Sequence, residues 1–216
     1  FEGRTRAFVK VQDGCENFCS YCIIPYARGK CCSKPLETVV SEVKTLLAKG
    51  YQEIVLTGIH TGNYGVDINT NFAELLRNLV KLEGLKRLRI SSIEVTELTG
   101  EVLDIIKEND VIVNHFHIPL QAGSDKILKL MNRKYDLAYY EEKINKLRAI
   151  RPLVSVTTDI IVGFPNETDL DFEETVRNAI KFNFAKIHVF PYSVRTGTKA
   201  ATMPQVDGNV KKERAR

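Results

Sequence analysis

Six short runs of aliphatic and β-branched residues punctuate the chain: AFVKVQ from Ala7, EIVLTG from Glu53, LRISSIE from Leu88, VNHFHIPL from Val113, VSVTTDIIVG from Val154 and KIHVFPYS from Lys186. Runs of this kind, apolar on successive positions instead of strictly alternating, predict buried strands. Between them the apolar spacing changes to a helical period. In PLETVVSEVKTLLAKG, Val39, Val40, Val43, Leu46 and Leu47 fall on one face, and Gly50 supplies a stop. Further helices are predicted to open at Asn71, Thr99 and Thr168. Thr168 has Asp171 three positions on, Asp169, Glu173 and Glu174 close by, and Lys181 near the far end. That order caps the free amides of a first turn and opposes the helix dipole. The turn-rich TGNYGVDINTN predicts a surface loop at the rim after the second strand.

Strand and helix alternating in this way imply parallel strands joined by right-handed crossovers, in either an open doubly wound sheet or part of a barrel. Both architectures place ligands at the C-terminal ends of the strands. Six strand signals are too few for a closed barrel of eight strands and typically about 250 residues. The predicted fold is therefore α/β, a partial (β/α)6 TIM-like barrel with an open lateral side.

Composition narrows the function classes. A chain of 216 residues, 44% hydrophobic and 27% charged, is an ordinary globular mixture. No run reaches the roughly 18 apolar residues of a membrane span, and no signal-peptide pattern is present, so a cytoplasmic location without a membrane partner is expected. Five cysteines, an odd number, predict reduced thiols instead of a disulfide framework. A net charge of +4 admits an acidic partner such as RNA without being the mark of a dedicated nucleic-acid binder. The chain begins at Phe1 and ends in the basic VKKERAR, and we expect residues 1–216 to be one domain of a longer protein.

The chemistry concentrates in GCENFCSYCIIPYARGK, where Cys15, Cys19 and Cys22 form C-x3-C-x2-C directly after the first predicted strand. A structural zinc site is normally closed by four ligands, and no matching cysteine pair follows. Cys31 and Cys32 are adjacent, with side chains that diverge, and are expected to be ordinary unligated thiols. A four-iron cluster held by three thiolates, in contrast, keeps one iron free for another molecule.

With Tyr21 at the aromatic position of C-x3-C-x-aromatic-C, the loop resembles that of the radical S-adenosylmethionine (radical SAM) superfamily. PLQAGSDKILKLMNRKY, TTDIIVGFPNETDLDFEET and HVFPYSVRTGTKAATMP extend the resemblance over essentially the whole chain, to the methylthiotransferases that modify tRNA. LTGIHTGNYG and SSIEVTELT resemble the branch acting on N6-threonylcarbamoyladenosine beside the anticodon. Two other branches act on isopentenyladenosine or on a ribosomal protein.

The resemblance implies a radical SAM transferase. Cys15, Cys19 and Cys22 would ligate a [4Fe-4S] cluster whose free iron takes exchangeable S-adenosylmethionine, and a 5′-deoxyadenosyl radical would open C2 of the adenine to sulfur insertion. It also implies partners: a tRNA substrate and an electron donor such as flavodoxin or ferredoxin. A second [4Fe-4S] cluster is expected only in an N-terminal methylthiotransferase domain, and a C-terminal TRAM domain would help grip the tRNA; neither lies in these residues.

By the same resemblance, Tyr21 would lie near the cofactor adenine, although packing beside the cluster suits it equally. Gly58 holds the place of a degenerate Gly-Gly-Glu motif that meets the methionine amino group. Ser92 and Glu94 would hold the ribose or the methionine end. Gln121 and Arg133 would face cofactor or substrate, and Gly163, followed by Pro165, would let backbone approach the adenine. Each of these positions is also compatible with plain loop structure. His115 and His117 form an H-x-H pair that in other barrels holds zinc, but no carboxylate and histidine are expected to join them from later strands. His60 and His188 read as solitary rim or core histidines. The competing readings are another radical enzyme, an iron-sulfur electron carrier, and a non-catalytic zinc-bearing RNA-binding module.

Overall fold

The computed structural model describes residues 5–216. Its strands are β1 (Ala7–Lys10), β2 (Gln12–Asp13), β3 (Cys32–Ser33), β4 (Glu53–Thr57), β5 (Arg87–Ile90), β6 (His115–His117), β7 (Ser155–Val162) and β8 (Lys186–Pro191). Its helices are α1 (Ile24–Arg28), α2 (Leu36–Ala48), α3 (Phe72–Leu79), α4 (Gly100–Glu108), α5 (Asp125–Leu130), α6 (Leu137–Ile150), α7 (Asp169–Lys181) and α8 (Gly208–Arg214).

All six predicted strands form, and they pair in parallel. β4 lies between β1 and β5, and β7 lies between β6 and β8. The two trios meet where Leu88 N donates to Val111 O at 2.7 Å and Ile93 N to His117 O at 3.1 Å. One curved sheet thus runs in the order β1-β4-β5-β6-β7-β8, the six-stranded partial barrel that the strand count predicts.

The helices cover this sheet from outside. Val39 and Val43 of α2, Leu75, Leu76 and Leu79 of α3, and Ile105 and Ile106 of α4 are buried against Ile54, Leu56, Leu88 and Ile90. Each fully buried aliphatic side chain contributes on the order of 2 kcal/mol. The predicted caps are realised. Asn71 Oδ1 accepts from Glu74 N at 2.8 Å, Thr99 Oγ1 from Val102 N at 3.2 Å, and Thr168 and Asp171 form a reciprocal capping box.

Three expectations need correction. β8 was expected to be buried, but Val189 is 41% and Phe190 49% exposed, because little of the described chain packs over it apart from α8. The run from Ala7 does not stay in one strand: after Lys10 the chain leaves the sheet, and β2 pairs antiparallel with β3. The segment after β4 is no mere surface loop, since Tyr64 is fully buried and its hydroxyl donates to Lys34 O at 2.7 Å. With Gly65 N donating to Ser33 Oγ at 2.9 Å and Ser33 N to Asp67 Oδ2 at 2.8 Å, that bond fixes the rim to the segment leading into α2.

Candidate functional site

The β2–β3 pair closes the neck of a loop that carries Cys15, Cys19 and Cys22 at the C-terminal rim of the sheet. Gly14 makes the neck possible. Its φ is +74°, and a Cβ there would come 1.9 Å from Lys30 O, so no other residue passes this point without moving the Gly29–Lys30 backbone opposite. Farther along, the loop is clamped from outside. Ser20 N donates to Met131 O at 3.0 Å, Ser20 Oγ to Leu130 O at 2.7 Å, and Ala200 N to Ser20 O at 2.7 Å. All three cysteines are half-buried free thiols.

Cys15 faces a histidine that the sequence reading left unassigned. His60 Nδ1 lies 3.9 Å from Cys15 Sγ, and His60 Nε2 lies 2.5 Å from Glu97 Oε1. The second contact is an ion pair without an aligned hydrogen bond. Burial opposes a charge on the imidazole, but Cys15 and Glu97 outweigh it and push its pKa up to about 10. Burial likewise works against the Cys15 thiolate, yet the His60 contact and the Asn17 amide bring the thiol below its ordinary value. The Cys22 thiol is pushed up, by burial first and by the neighbouring Cys19 and Cys15, which together outweigh the Ile24 amide and Arg133.

Cys19 faces Arg133. This guanidinium, its side chain 4% exposed, donates to Cys19 Sγ at 3.4 Å, Tyr21 OH at 3.5 Å and Tyr135 OH at 3.2 Å. It also pairs with Glu94 and lies 5.1 Å from the centre of the Tyr135 ring. Burial opposes its charge, but the surrounding groups hold its pKa well above the usual value. Four positions singled out in the sequence, Cys19, Tyr21, Glu94 and Arg133, therefore form one cluster.

The remaining candidates lie around this cluster. Tyr21 and Gln121 line one cavity of about 270 Å³ with Asp159, Tyr192 and Arg195. Gln121 takes a positive φ of 69° as its amide donates to Asp159 O at 2.9 Å and its carbonyl accepts from Ile161 N at 2.8 Å. Ser92 is half-buried just past β5. Gly58 follows β4 and lies against Gln12, whose Oε1 would be 3.0 Å from an added Cβ. Gly163, φ +65°, is closely approached by Lys211 of α8, and its amide donates to Glu167 Oε1 at 2.8 Å; Pro165 beside it is buried. The close approach that this glycine permits is to the chain's own helix.

Cys31 is buried and occupied: Gln12 Nε2 lies 3.4 Å from its sulfur, which is 3.7 Å from Asn63 O and 3.6 Å from Asp67 Oδ1. Cys32 is exposed. The histidine pair corrects another expectation, because a carboxylate and a histidine do follow on later strands. His117 Nε2 is 3.1 Å from Asp159 Oδ2 on β7, and the His117 ring centre is 6.0 Å from that of His188 on β8. His115 is held instead between Arg89 Nη1 at 3.1 Å and Thr157 Oγ1 at 3.2 Å.

The model of the Radical SAM superfamily matches residues 9–179. The chain belongs to the radical SAM superfamily. It is 52% identical, over 99% of its length, to Threonylcarbamoyladenosine tRNA methylthiotransferase MtaB of Bacillus subtilis (strain 168), of which it covers 48%. It is 45% identical, over 99% of its length, to tRNA-2-methylthio-N(6)-dimethylallyladenosine synthase of Thermoanaerobacter pseudethanolicus, of which it covers 46%. The chain thus spans about half the length of the curated relatives it matches. Among solved structures, the radical S-adenosylmethionine methyltransferase TsrM from Kitasatospora setae, with cobalamin and [4Fe-4S] cluster bound, superposes with a TM-score of 0.74. At 17% identity, over 90% of this chain and 38% of that one, the likeness shows a shared fold.

A radical SAM protein works with a [4Fe-4S] cluster and S-adenosylmethionine, and the donor set suits that pair. Three half-buried thiols sit on one clamped loop, one of them already biased toward thiolate. Among the described residues, no three His, Cys, Asp or Glu side chains meet as they would around a single metal ion. A four-iron cluster asks for a wider set, since each thiolate binds a different iron.

Proposed function

We propose that this chain is the radical SAM core of a tRNA methylthiotransferase, and that the whole enzyme places a methylthio group at C2 of N6-threonylcarbamoyladenosine next to the anticodon. The observation that carries the reading is the clamped C-x3-C-x2-C loop at the strand C-termini, in a chain half identical to an enzyme named for that reaction. Cys15, Cys19 and Cys22 hold the cluster. When bound, the cluster supplies the electron that opens a carbon–sulfur bond of S-adenosylmethionine.

The chain's own residues prepare the place. His60, fixed by Glu97, offers positive charge to Cys15, and Arg133, fixed by Glu94 and Tyr135, offers it to Cys19. Both cations offset the negative charge that three thiolates bring into a half-buried loop. Tyr21 and Gln121 wall the adjoining cavity, where an adenine has an aromatic edge and a polar backbone turn to meet. Ile161, Phe190 and Tyr192 give its walls apolar surface for a bound group to pack on.

The similarity to a dimethylallyladenosine enzyme makes N6-isopentenyladenosine the alternative substrate. Mass spectrometry of tRNA nucleosides, from cells that depend on the whole protein for the modification, decides between them. Methylthiolated N6-threonylcarbamoyladenosine supports the proposal; methylthiolated isopentenyladenosine overturns the choice of branch; neither product removes the methylthiotransferase reading.

A further inference from the structure

Beside the cysteine loop lies an open cleft of about 980 Å³. Its floor is the loop itself. Phe18 and Ser20, on either side of Cys19, line it together with Lys126, Lys129, Asn132 and Lys199. Asn132 Nδ2 donates to Phe18 O at 2.9 Å, so the wall of the cleft and the cysteine loop are one bonded unit.

Two features of this cleft have no role in holding a cluster. The first is an aromatic pair left in solvent. Phe18, in the cleft wall, is 49% exposed, and Tyr26, beside it but outside the cleft lining, is 66% exposed, with ring centres 5.8 Å apart in an edge-to-face arrangement. Phe18 has a φ of +48°, a left-handed conformation that a non-glycine residue adopts at a cost in strain. The chain thus holds a bulky aromatic ring outward, at a strained position, between two of the candidate cluster ligands.

The second feature is charge. Lys126 pairs with Asp171 at 2.6 Å, but Lys129 and Lys199 are exposed and have no carboxylate partner among the described residues. Exposed aromatic faces next to unneutralised cations in an open, wet groove are the combination that takes single-stranded nucleic acid: rings for the bases and cations for the backbone. An acidic peptide would use the lysines and leave the rings idle.

We propose that this cleft holds a single-stranded loop of RNA, with a base stacked on the Phe18–Tyr26 pair and phosphates met by Lys129 and Lys199. The inference rests on the reading of tRNA as substrate and adds to it the face by which the loop reaches the cysteine site. It places the RNA backbone on the α5 side, so that a base can turn inward past Phe18 toward the cavity beyond Tyr21.

The test is fluorescence anisotropy of a dye-labelled RNA hairpin with a seven-base loop (about the size of an anticodon loop), titrated with the 216-residue chain at several potassium chloride concentrations. Phe18→Ala and Tyr26→Ala are expected to weaken binding about tenfold each, the effect of losing one stacked base, whereas Phe18→Trp retains it. Lys129→Gln with Lys199→Gln should flatten the dependence of log K on log salt by about 0.7 per lysine. Thermal melts and iron content after reconstitution check that the variants keep their fold and loop. If the chain binds the hairpin but all variants bind as tightly, with the same salt dependence, this cleft is not the docking face, while tRNA stands as substrate. If poly-L-glutamate competes as well as RNA, the surface reads charge alone and the proposal is overturned. If the unaltered chain binds no hairpin at low salt, the cleft proposal falls, and the substrate reading is then decided by the nucleoside analysis above.

Discussion

Arg133 gives the sharpest quantitative expectation. Replacing it with Met keeps much of the volume and removes the charge. The guanidinium is the only cation described in contact with Glu94, and the carboxylate is itself 19% exposed. Removing one partner of a buried ion pair costs about 3–5 kcal/mol, because the other charge is stranded. The residual exposure of Glu94 favours the lower end. Loss of the Tyr135 stacking contact adds about 1 kcal/mol, and the hydrogen bonds to Tyr21 and Tyr135 add about 1 kcal/mol each. Some of this is regained as Glu94 takes up a proton, a change that burial already favours. The net expectation for Arg133→Met is roughly 4 kcal/mol. With a urea slope of about 2 kcal/mol/M, the unfolding midpoint of the metal-free, reduced chain should fall by about 2 M. Adding Glu94→Gln should return about half of that loss, so the coupling energy in a double-mutant cycle is about 2 kcal/mol plus the cost of Glu94→Gln alone. Arg133→Lys keeps the charge but not the fork that reaches three partners, and should fall between. A midpoint shift of Arg133→Met below about 0.5 M, or a coupling near zero, would refute the idea that this arginine ties the cysteine loop to the rim.

Replacing any one of Cys15, Cys19 and Cys22 by Ala should abolish iron-dependent cleavage of S-adenosylmethionine, measured as 5′-deoxyadenosine, whereas Cys31→Ala should retain it; equal loss from Cys31→Ala would mean that the ligands are misassigned. Gly62→Ala places a Cβ 2.2 Å from Glu97 Oε2, so Glu97 must leave His60; the His60 imidazole pKa, followed by NMR in the metal-free chain, should fall by more than one unit from about 10. His60 also sets a pH dependence. Its folded pKa lies above the unfolded value, so the stability it contributes is complete below about pH 6.5 and is lost as pH rises through about 10. The urea midpoint should therefore decline from pH 7 to pH 10, and His60→Asn should flatten that decline; identical profiles would remove the ion pair from the account. Finally, the 216 residues alone, reconstituted and reduced, should cleave S-adenosylmethionine slowly yet leave tRNA without a methylthio group, since after the three ligands only Cys31 and Cys32 remain to hold a sulfur source.

The strands and three of the caps were legible, and the cysteine spacing stood out, because these signals are local. A run of Ile and Val, a Thr followed by Asp three positions later, or a C-x3-C-x2-C spacing carries its meaning within a few residues. α6 went unread because Leu137, Tyr140, Ile144 and Leu147 are diluted by charged neighbours, although three of the four are buried in the fold. The exposure of β8 could not be read from an apolar run, since burial depends on what packs over it. The partners of the cysteines lie farthest from local pattern: His60 is 45 positions from Cys15 and Arg133 is 114 from Cys19. Asp159 joins His117 only through the parallel register of β6 and β7. Charge pairing of this kind becomes visible only once the sheet has set the order of its strands.

Three cysteines holding a cluster that meets S-adenosylmethionine at a free iron are the core of the proposed function. Electron paramagnetic resonance of the anaerobically reconstituted, dithionite-reduced chain, recorded with and without S-adenosylmethionine, tests this directly. The expected result is a [4Fe-4S] signal whose g-values shift when S-adenosylmethionine is added, and which is lost in Cys15→Ala, Cys19→Ala and Cys22→Ala. A signal indifferent to S-adenosylmethionine, or a chain that takes up one zinc ion and no iron, would contradict it.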